Sequence, residues 1–351
     1  MKKSLLVCLF LQLPAAAWAT APAAPKPSPS TSAVVLSAAE RYARRCQSQS
    51  AHRNGRPQGT MLWGTKRDWN TEKVAPERSS VLVSADLAPL RQAVDGVKAL
   101  RLDGGHLVAS CGPDAGAATG GVVGTVLQGT SSDGKPVEVA ICGAEPSPED
   151  SGVVFYRIEA WNGVAQEWEN PCVALDLVPD PRALAVSGVW DASGAHQEAP
   201  GKLTFACENG AITKCITWGY KPWARRDGRS LADLHQACTR MARADYCGNG
   251  QSHTHQNTII DLYDRFGMVE RGEWDPAKAS FEAAWAPDGA TCLARTRDGR
   301  AVETILQECP NRFQTGAAVE LGAGERCTVR RADVRPETAL LRNLTYAAPK
   351  R

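Results

Sequence analysis

Twelve cysteines in a chain of 351 residues constrain the fold more than any other feature. What they do depends on where the chain goes, and its start speaks to that. Lys2 and Lys3 precede an apolar run from Leu5 to Leu13, and Ala17-Trp18-Ala19 is a small-x-small cleavage site, so residues 1–19 read as a secretory signal peptide. The apolar run is about half the length that spans a bilayer, and no later window reaches that length, so no transmembrane segment is expected. Cys8 lies inside the signal; Cys46, Cys111, Cys142, Cys172, Cys207, Cys215, Cys238, Cys247, Cys292, Cys309 and Cys327 remain. An exported chain meets an oxidising compartment, periplasmic or extracellular, where disulfides are the expected state. Eleven is odd, so at least one thiol is free, metal-bound or paired between chains.

Charged residues make up 22% of the chain and nearly cancel, to a net +2. That balance argues against nucleic acid or an anionic membrane as partner and leaves an envelope polymer or a protein ligand open. Ten Trp outnumber six Tyr and six Phe, a usage that points to core and sheet packing. Phosphate loops, Ser nucleophile elbows and dinucleotide fingerprints are absent, and no cofactor is expected.

Residues 20–36 are an Ala/Pro/Ser-rich linker. Ala38 to Arg45 can form a short helix, with Ser37 and Glu40 as a capping box, and Gln49 to Thr60 reads as loop. Residues 37–117 are β-rich, with candidate strands at Leu62-Trp63, Val81 to Val83 and Val97 to Leu102, a turn at Asp103-Gly104-Gly105, and a helix candidate at Leu87 to Val94. The small residues from Ala115 to Gly121 suggest a boundary, with a second region over 118–275. Strands are expected at Val122 to Gln128, Val137 to Ile141, Val153 to Trp161, Cys172 to Leu177 and Ala183 to Trp190. Residues 276–351 should add a hairpin, Thr291 to Arg297 with Arg300 to Ile305, a strand at Glu325 to Arg330, and a poorly ordered tail from Pro336, packed on the second region. The fold class is mostly β (α+β): antiparallel sheets and hairpins with one central amphipathic helix, stabilised by disulfides.

Leu203 to Trp218 reads as a hairpin with Asn209-Gly210 at its tip. In that register Leu203, Phe205, Cys207, Ile212, Ile216 and Trp218 share a face, Lys214 is its one charged intruder, and Cys215 points away. Ser230 to Tyr246 reads as the helix, with Leu231, Leu234, Cys238 and Met241 on its apolar stripe. Cys238 and Cys247 would lie about 13 Å apart along it, too far for a bond. A helix packed on the apolar hairpin face therefore predicts a Cys207–Cys238 disulfide.

The densest chemistry lies just after that helix, in Arg243-Ala244-Asp245-Tyr246-Cys247-Gly248-Asn249-Gly250-Gln251-Ser252-His253-Thr254, followed by Asp261, Tyr263 and Asp264. Ala244-Asp245-Tyr246-Cys247 with the glycines and Ser252-His253-Thr254 after it resembles the ADYC-domain family of bacterial exported proteins. The resemblance extends to Thr204 to Cys207, Lys214-Cys215, Trp218 to Trp223, His235 to Cys238 and Ile260 to Asp264, which makes 118–275 an ADYC-like domain. It implies an exported protein, and it assigns no catalytic or binding residue.

Each candidate site has a plain structural counterpart. Cys247 with His253, oriented by Asp261, could act as nucleophile and base, but a helix C-terminus raises a thiol pKa, and a disulfide is the simpler fate of Cys247. His253 and His255 with Cys247 form a sparse metal set without the usual spacings. Asp245, Tyr246, Ser252, His253 and Thr254 would suit a polar binding loop, and a self-bonded structural turn is the simpler reading of the same residues. Trp218 and Trp223 flank a Gly and a Pro, as a ligand platform or as packing. The reading that results is a non-enzymatic binding or structural module of the envelope or extracellular space, with a thiol-dependent or metal-assisted hydrolase centred on Cys247 and His253 as the alternative.

Overall fold

Ser37 opens the chain's first helix in the way its sequence predicts. In the computed structural model its hydroxyl accepts from the Glu40 amide, and its own amide donates to the Glu40 carboxylate, which caps α1 (Ala38–Ala43). The structure describes residues 36–48, 60–66, 81–94, 96–110, 119–175, 177–255, 258–272, 279–322 and 324–346. The expected signal, the linker up to residue 35, Cys8, Cys111 and most of the Gln49–Thr60 loop lie outside these residues.

Among the described residues, eleven strands follow α1 up to residue 207: β1 (Leu82–Asp86), β2 (Ala99–Asp103), β3 (His106–Ser110), β4 (Val126–Ser131), β5 (Pro136–Pro146), β6 (Val154–Asn162), β7 (Glu167–Glu169), β8 (Ala183–Ser187), β9 (Val189–Trp190), β10 (His196–Gln197) and β11 (Lys202–Cys207). Six of them, β1, β4, β5, β6, β8 and β11, each pair antiparallel with the next, and β11 pairs back to β1. They form a closed barrel in sequence order, which removes the open edges that a flat sheet would present. Alternation sorts the side chains. Leu203, Phe205 and Cys207 point into the barrel with Ile141, Tyr156 and Ile158, while Ala206, Leu184 and Val186 point out. The β2–β3 hairpin packs into the same interior, where the Leu107 amide donates to the Tyr156 hydroxyl at 2.6 Å. One stave, β1, precedes residue 118 and the other five follow it, so the expected regional division falls between strands of one barrel.

The segment after β11 departs from the expected hairpin. It forms α2 (Ala211–Thr217), and Asn209-Gly210 is not a strand turn. Gly210 sits there because its backbone meets that of Leu62, Trp63 and Gly64: a Cβ on it would lie 2.7 Å from Trp63 C and 2.8 Å from Leu62 O. Asn209 donates to the Val173 carbonyl and fixes the approach. Ile212 and Ile216 then cover the outer barrel face, and Ala211 and Cys215 face the next helix. After the small β12 (Arg225–Arg226) and β13 (Arg229–Ser230) comes α3 (Ala232–Arg243), the longest helix among the described residues and the expected central one, shorter at both ends than the sequence suggested.

The rest is a second antiparallel sheet: β14 (Ile260–Asp264), β15 (Ala279–Ala286), β16 (Gly289–Leu293), then α4 (Val302–Glu308), β17 (Gln314–Gly322), β18 (Glu325–Arg330) and β19 (Leu341–Tyr346). The sheet order is β14-β19-β15-β16-β18-β17. Leu234, Ala237, Cys238 and Met241 of α3 pack on it against Ala283, Trp285, Ala290 and Leu341. Two expectations fail here. The Arg300–Ile305 strand is α4, because Val302, Ile305 and Leu306 recur at helical spacing and pack on that cluster. The tail expected to be disordered supplies β19, a central strand, because its polar Asn343 and Thr345 are buried by pairing rather than left to solvent. Smaller corrections also apply. Leu62-Trp63 forms no strand, Cys172 and Leu175 form isolated bridges only, and the Arg91 and Gln92 amides bond the Val126 carbonyl where a helix was expected.

All ten described cysteines pair: Cys46–Cys142, Cys172–Cys207, Cys215–Cys238, Cys247–Cys309 and Cys292–Cys327. The predicted Cys207–Cys238 bond is wrong. Cys207 faces the barrel interior, and α3 lies beyond the outer face, across α2. Once 211–217 is a helix, Cys215 turns toward α3 and takes Cys238 instead, with Cα atoms 5.8 Å apart.

Candidate functional site

Ala244 ends α3 in the left-handed conformation (φ 51°, ψ 42°) and throws the chain back under the helix. The residues after it are then held from several sides. Asp245 is fully buried; its carboxylate accepts from Arg240 at 2.6 Å and from the Asn249 and Gly250 amides at 3.1 and 2.9 Å. Arg240 also donates to the carbonyls of Pro287 and Ser193. Arg243 donates to Thr60 O and Gly250 O, each at 2.6 Å. The Ser252 hydroxyl and the His253 amide both return to Arg243 O at 3.0 Å. This is a self-bonded turn in which Asp245 acts as a buried cap, balanced by its own helix's arginine.

Tyr246 anchors a second network. Its ring stacks on Trp285, with centroids 5.4 Å apart. Its hydroxyl donates to Glu282 at 3.1 Å and accepts from the Arg297 amide at 2.7 Å. Glu282 also accepts two bonds from the Arg297 guanidinium, at 2.9 and 3.0 Å, and one from Asn343 at 3.0 Å. Asn343 in turn accepts from the Trp285 indole at 2.8 Å. Burial, with the Glu282 charge beside it, pushes the Tyr246 phenol well above its ordinary range, so it stays a neutral donor. The network is closed: four donors saturate one buried carboxylate.

Cys247, His253 and Asp261 do not assemble into a catalytic set. The Cys247 sulfur is bonded to Cys309. His253 is buried between two acceptors, Ala244 O at 3.0 Å from Nδ1 and Glu308 Oε2 at 2.7 Å from Nε2, so Glu308 orients it and Asp261 does not. Asp261 sits on β14, where burial raises its carboxyl pKa against the opposing pull of two bonds from the Gly272 amide. The metal alternative is not brought together either. His255 is exposed while Cys247 and His253 are engaged, and the one cluster of possible ligands among the described residues is Cys46, Cys142 and Glu159. There the two sulfurs bond each other and Glu159 accepts from the Cys46 and Ser48 amides. Thr254 is buried beside Arg297, 3.5 Å from its Nη1.

The two tryptophans separate. Trp223 packs with the outer barrel cluster and lies over Gly104 and Gly105, where a Cβ on Gly105 would come 2.9 Å from its ring. Trp218, one turn after Lys214, borders a cleft of about 350 Å³. Leu175, Leu177 and Val178, Lys214 of α2, and Ala242, Thr254 and Arg297 are among the residues that line it. Sequence reasoning missed Glu282, Arg297, Glu308 and Asn343, which lie 15 to 61 residues from the partners they hold. Lys214 did leave a signal, as the charge on an otherwise apolar face.

The family model for the ADYC domain matches residues 120–299, just over half of the 351-residue chain. No curated protein and no solved structure matches.

Proposed function

The chain belongs to the ADYC-domain family, and from that premise we propose that it is a non-catalytic binding or structural module of the cell envelope or extracellular space. In this reading the motif that characterises the domain is architecture. The observation that carries it is the state of the motif's reactive groups: Cys247 in a disulfide, Asp245 saturated by Arg240 and two amides, Tyr246 buried against Glu282 and Arg297. A thiol enzyme needs an ionisable, reachable sulfur, and a general acid or base needs a free position for substrate; these groups offer neither. Five disulfides, and a start that reads as a signal peptide, support export.

One experiment tests both halves. The protein is collected from outside the cytoplasm of its producing cells without reductant, alkylated with iodoacetamide, and peptide-mapped. A mature chain starting at Thr20, with Cys247 joined to Cys309, is the expected result. Stoichiometric alkylation of Cys247 would restore the hydrolase alternative, and a chain retaining Met1 would remove the export reading.

A further inference from the structure

Asp227 and Gly228 both take positive φ, 48° and 76°, and turn β12 back into β13 as a two-residue hairpin. At its base the Leu231 amide donates to Ala224 O at 3.0 Å. Its sequence, Arg225-Arg226-Asp227-Gly228-Arg229-Ser230, sets three arginines against one acid, and every residue of it is exposed. Arg226 pairs directly with Arg229, which puts both side chains on one face of the ladder with their Cβ atoms about 5 Å apart. Like charges placed opposite each other weaken so short a ladder, and arginine cannot shed its proton to relieve them. An anion between them relieves both.

A third arginine joins them from the turn after β14. Arg229 and Arg265 both lie over the Phe266 ring, their Cζ atoms 5.6 and 5.2 Å from its centroid. That ring is held in place: it packs against the α3 core cluster, and the Phe266 amide donates to Asp264 Oδ1 at 2.7 Å. The Asp264 carboxylate also accepts from the Met268 and Val269 amides and, at 3.0 Å, from the Tyr220 hydroxyl, so it ties this turn to the loop that leads into the hairpin. Arg265 is exposed and gives one of its donors to Glu337 O. A guanidinium stacked on a ring keeps its remaining N–H edge outward, where it can grip an oxyanion with two bonds.

The surroundings narrow the partner. A small anion meets one or two of these cations, whereas a chain with an anion on each unit meets all of them in turn. Strands of two residues are too short to take an added peptide strand. The large hydrophobic side chains exposed among the described residues, Val123, Val164, Leu177 and Ile259, lie outside the hairpin and the 264–269 turn, so the apolar anchor that protein interfaces and bilayers use is not supplied by them here. The Phe266 ring is taken up by packing and by two guanidiniums, which leaves it no face for a nucleobase. We infer that the face formed by Arg226, Arg229 and Arg265 binds an acidic polysaccharide, each guanidinium taking a carboxylate of the chain. The inference rests on the reading of the protein as a binding module and gives that module a partner class.

The test is binding of polygalacturonate to the full mature chain by calorimetry, at low and at raised salt, beside neutral dextran, polyglutamate, single-stranded DNA and phosphatidylglycerol vesicles. Polygalacturonate should bind saturably and tightest, and should weaken as salt rises. Arg226→Gln combined with Arg229→Gln should lose roughly tenfold or more and flatten the salt dependence, and Arg265→Gln alone should lose part of that. Arg326→Gln, which removes an exposed charge from β18, should leave the affinity unchanged. An unfolding midpoint no lower than that of the parent shows that each variant folds. Equal or tighter binding of any of the other four probes, or an affinity that neither the double variant nor Arg265→Gln moves, would overturn the polysaccharide site. Absence of polygalacturonate binding by protein whose Cys247–Cys309 bond is intact would overturn this inference and leave the non-catalytic reading standing.

Discussion

Gly248 shows how closely the motif is fitted. Its φ is +69°, and a Cβ there would lie 1.8 Å from Asp288 O, because its backbone crosses that of Gly289, whose own Cβ would meet Tyr246 O at 2.8 Å. Gly267 has nearly the same φ, +65°, but open space around it. Gly267→Ala should therefore cost only the left-handed penalty, about 1 kcal/mol, whereas Gly248→Ala should cost roughly 3 kcal/mol or more in urea unfolding. Equal losses would mean that the crossing with Asp288 is not a constraint. The residues of this turn were legible in the sequence as a dense cluster, and a self-bonded turn was one of its two readings. Their partners were not legible, since a carboxylate such as Glu282 announces nothing until folding brings it beside Tyr246.

α2 and α3 were not equally readable. α3 carries its apolar positions over twelve residues, long enough for a 3.6-residue period to stand out. α2 is seven residues long, and Ile212 and Ile216, four apart, fit a strand face as well as a helix face. That ambiguity carried the Cys207–Cys238 error with it, since parity on a strand puts Cys215 on the wrong side. The contact between the two helices also contains a titratable group. His235 on α3 is buried, with Nε2 3.1 Å from Ile212 O on α2. Burial lowers its pKa to about 4 despite that bond, with His196 as a lesser cause in the same direction. The folded state thus holds His235 neutral, while the unfolded chain takes a proton near 6.5. Between those values the unfolded state binds more protons, so this stability is complete above 6.5 and is lost as pH falls toward 4, by about 3 kcal/mol in total. His235→Gln, whose amide can still donate to Ile212 O, should flatten that acid limb. Urea unfolding at pH 7.5 and 4.5 measures it, and an unchanged pH dependence in the variant would refute the assignment.

Across the molecule, α3 joins barrel and sheet through its polar side chains. Gln236 accepts from the Trp190 indole at 3.0 Å and donates to Gly194 O at 2.8 Å, on the β8–β11 excursion. Arg240 reaches Ser193 O on that side and Pro287 O in the β15–β16 turn. The chain from Leu36 onward accordingly forms one compact unit. The mostly β class and several strands were legible from alternation and turn residues. Barrel closure was not, because β1 and β11 meet across more than a hundred residues, as in the Lys202–Asp86 contact at a separation of 116. The same holds for β19, whose polar pattern hides a strand that Asn343 and the sheet bury.

The central claim is that the segment from Arg243 to His253 is core architecture, and native-state hydrogen exchange tests it most directly. The Asn249 and Gly250 amides bond Asp245, the His253 amide bonds Arg243 O, and the Ala290 amide bonds Tyr246 O. These amides should exchange only by global unfolding, with the same free energy as the amides of β15 and β16. Exchange of the segment within seconds, while β15 and β16 stay protected, would contradict the account.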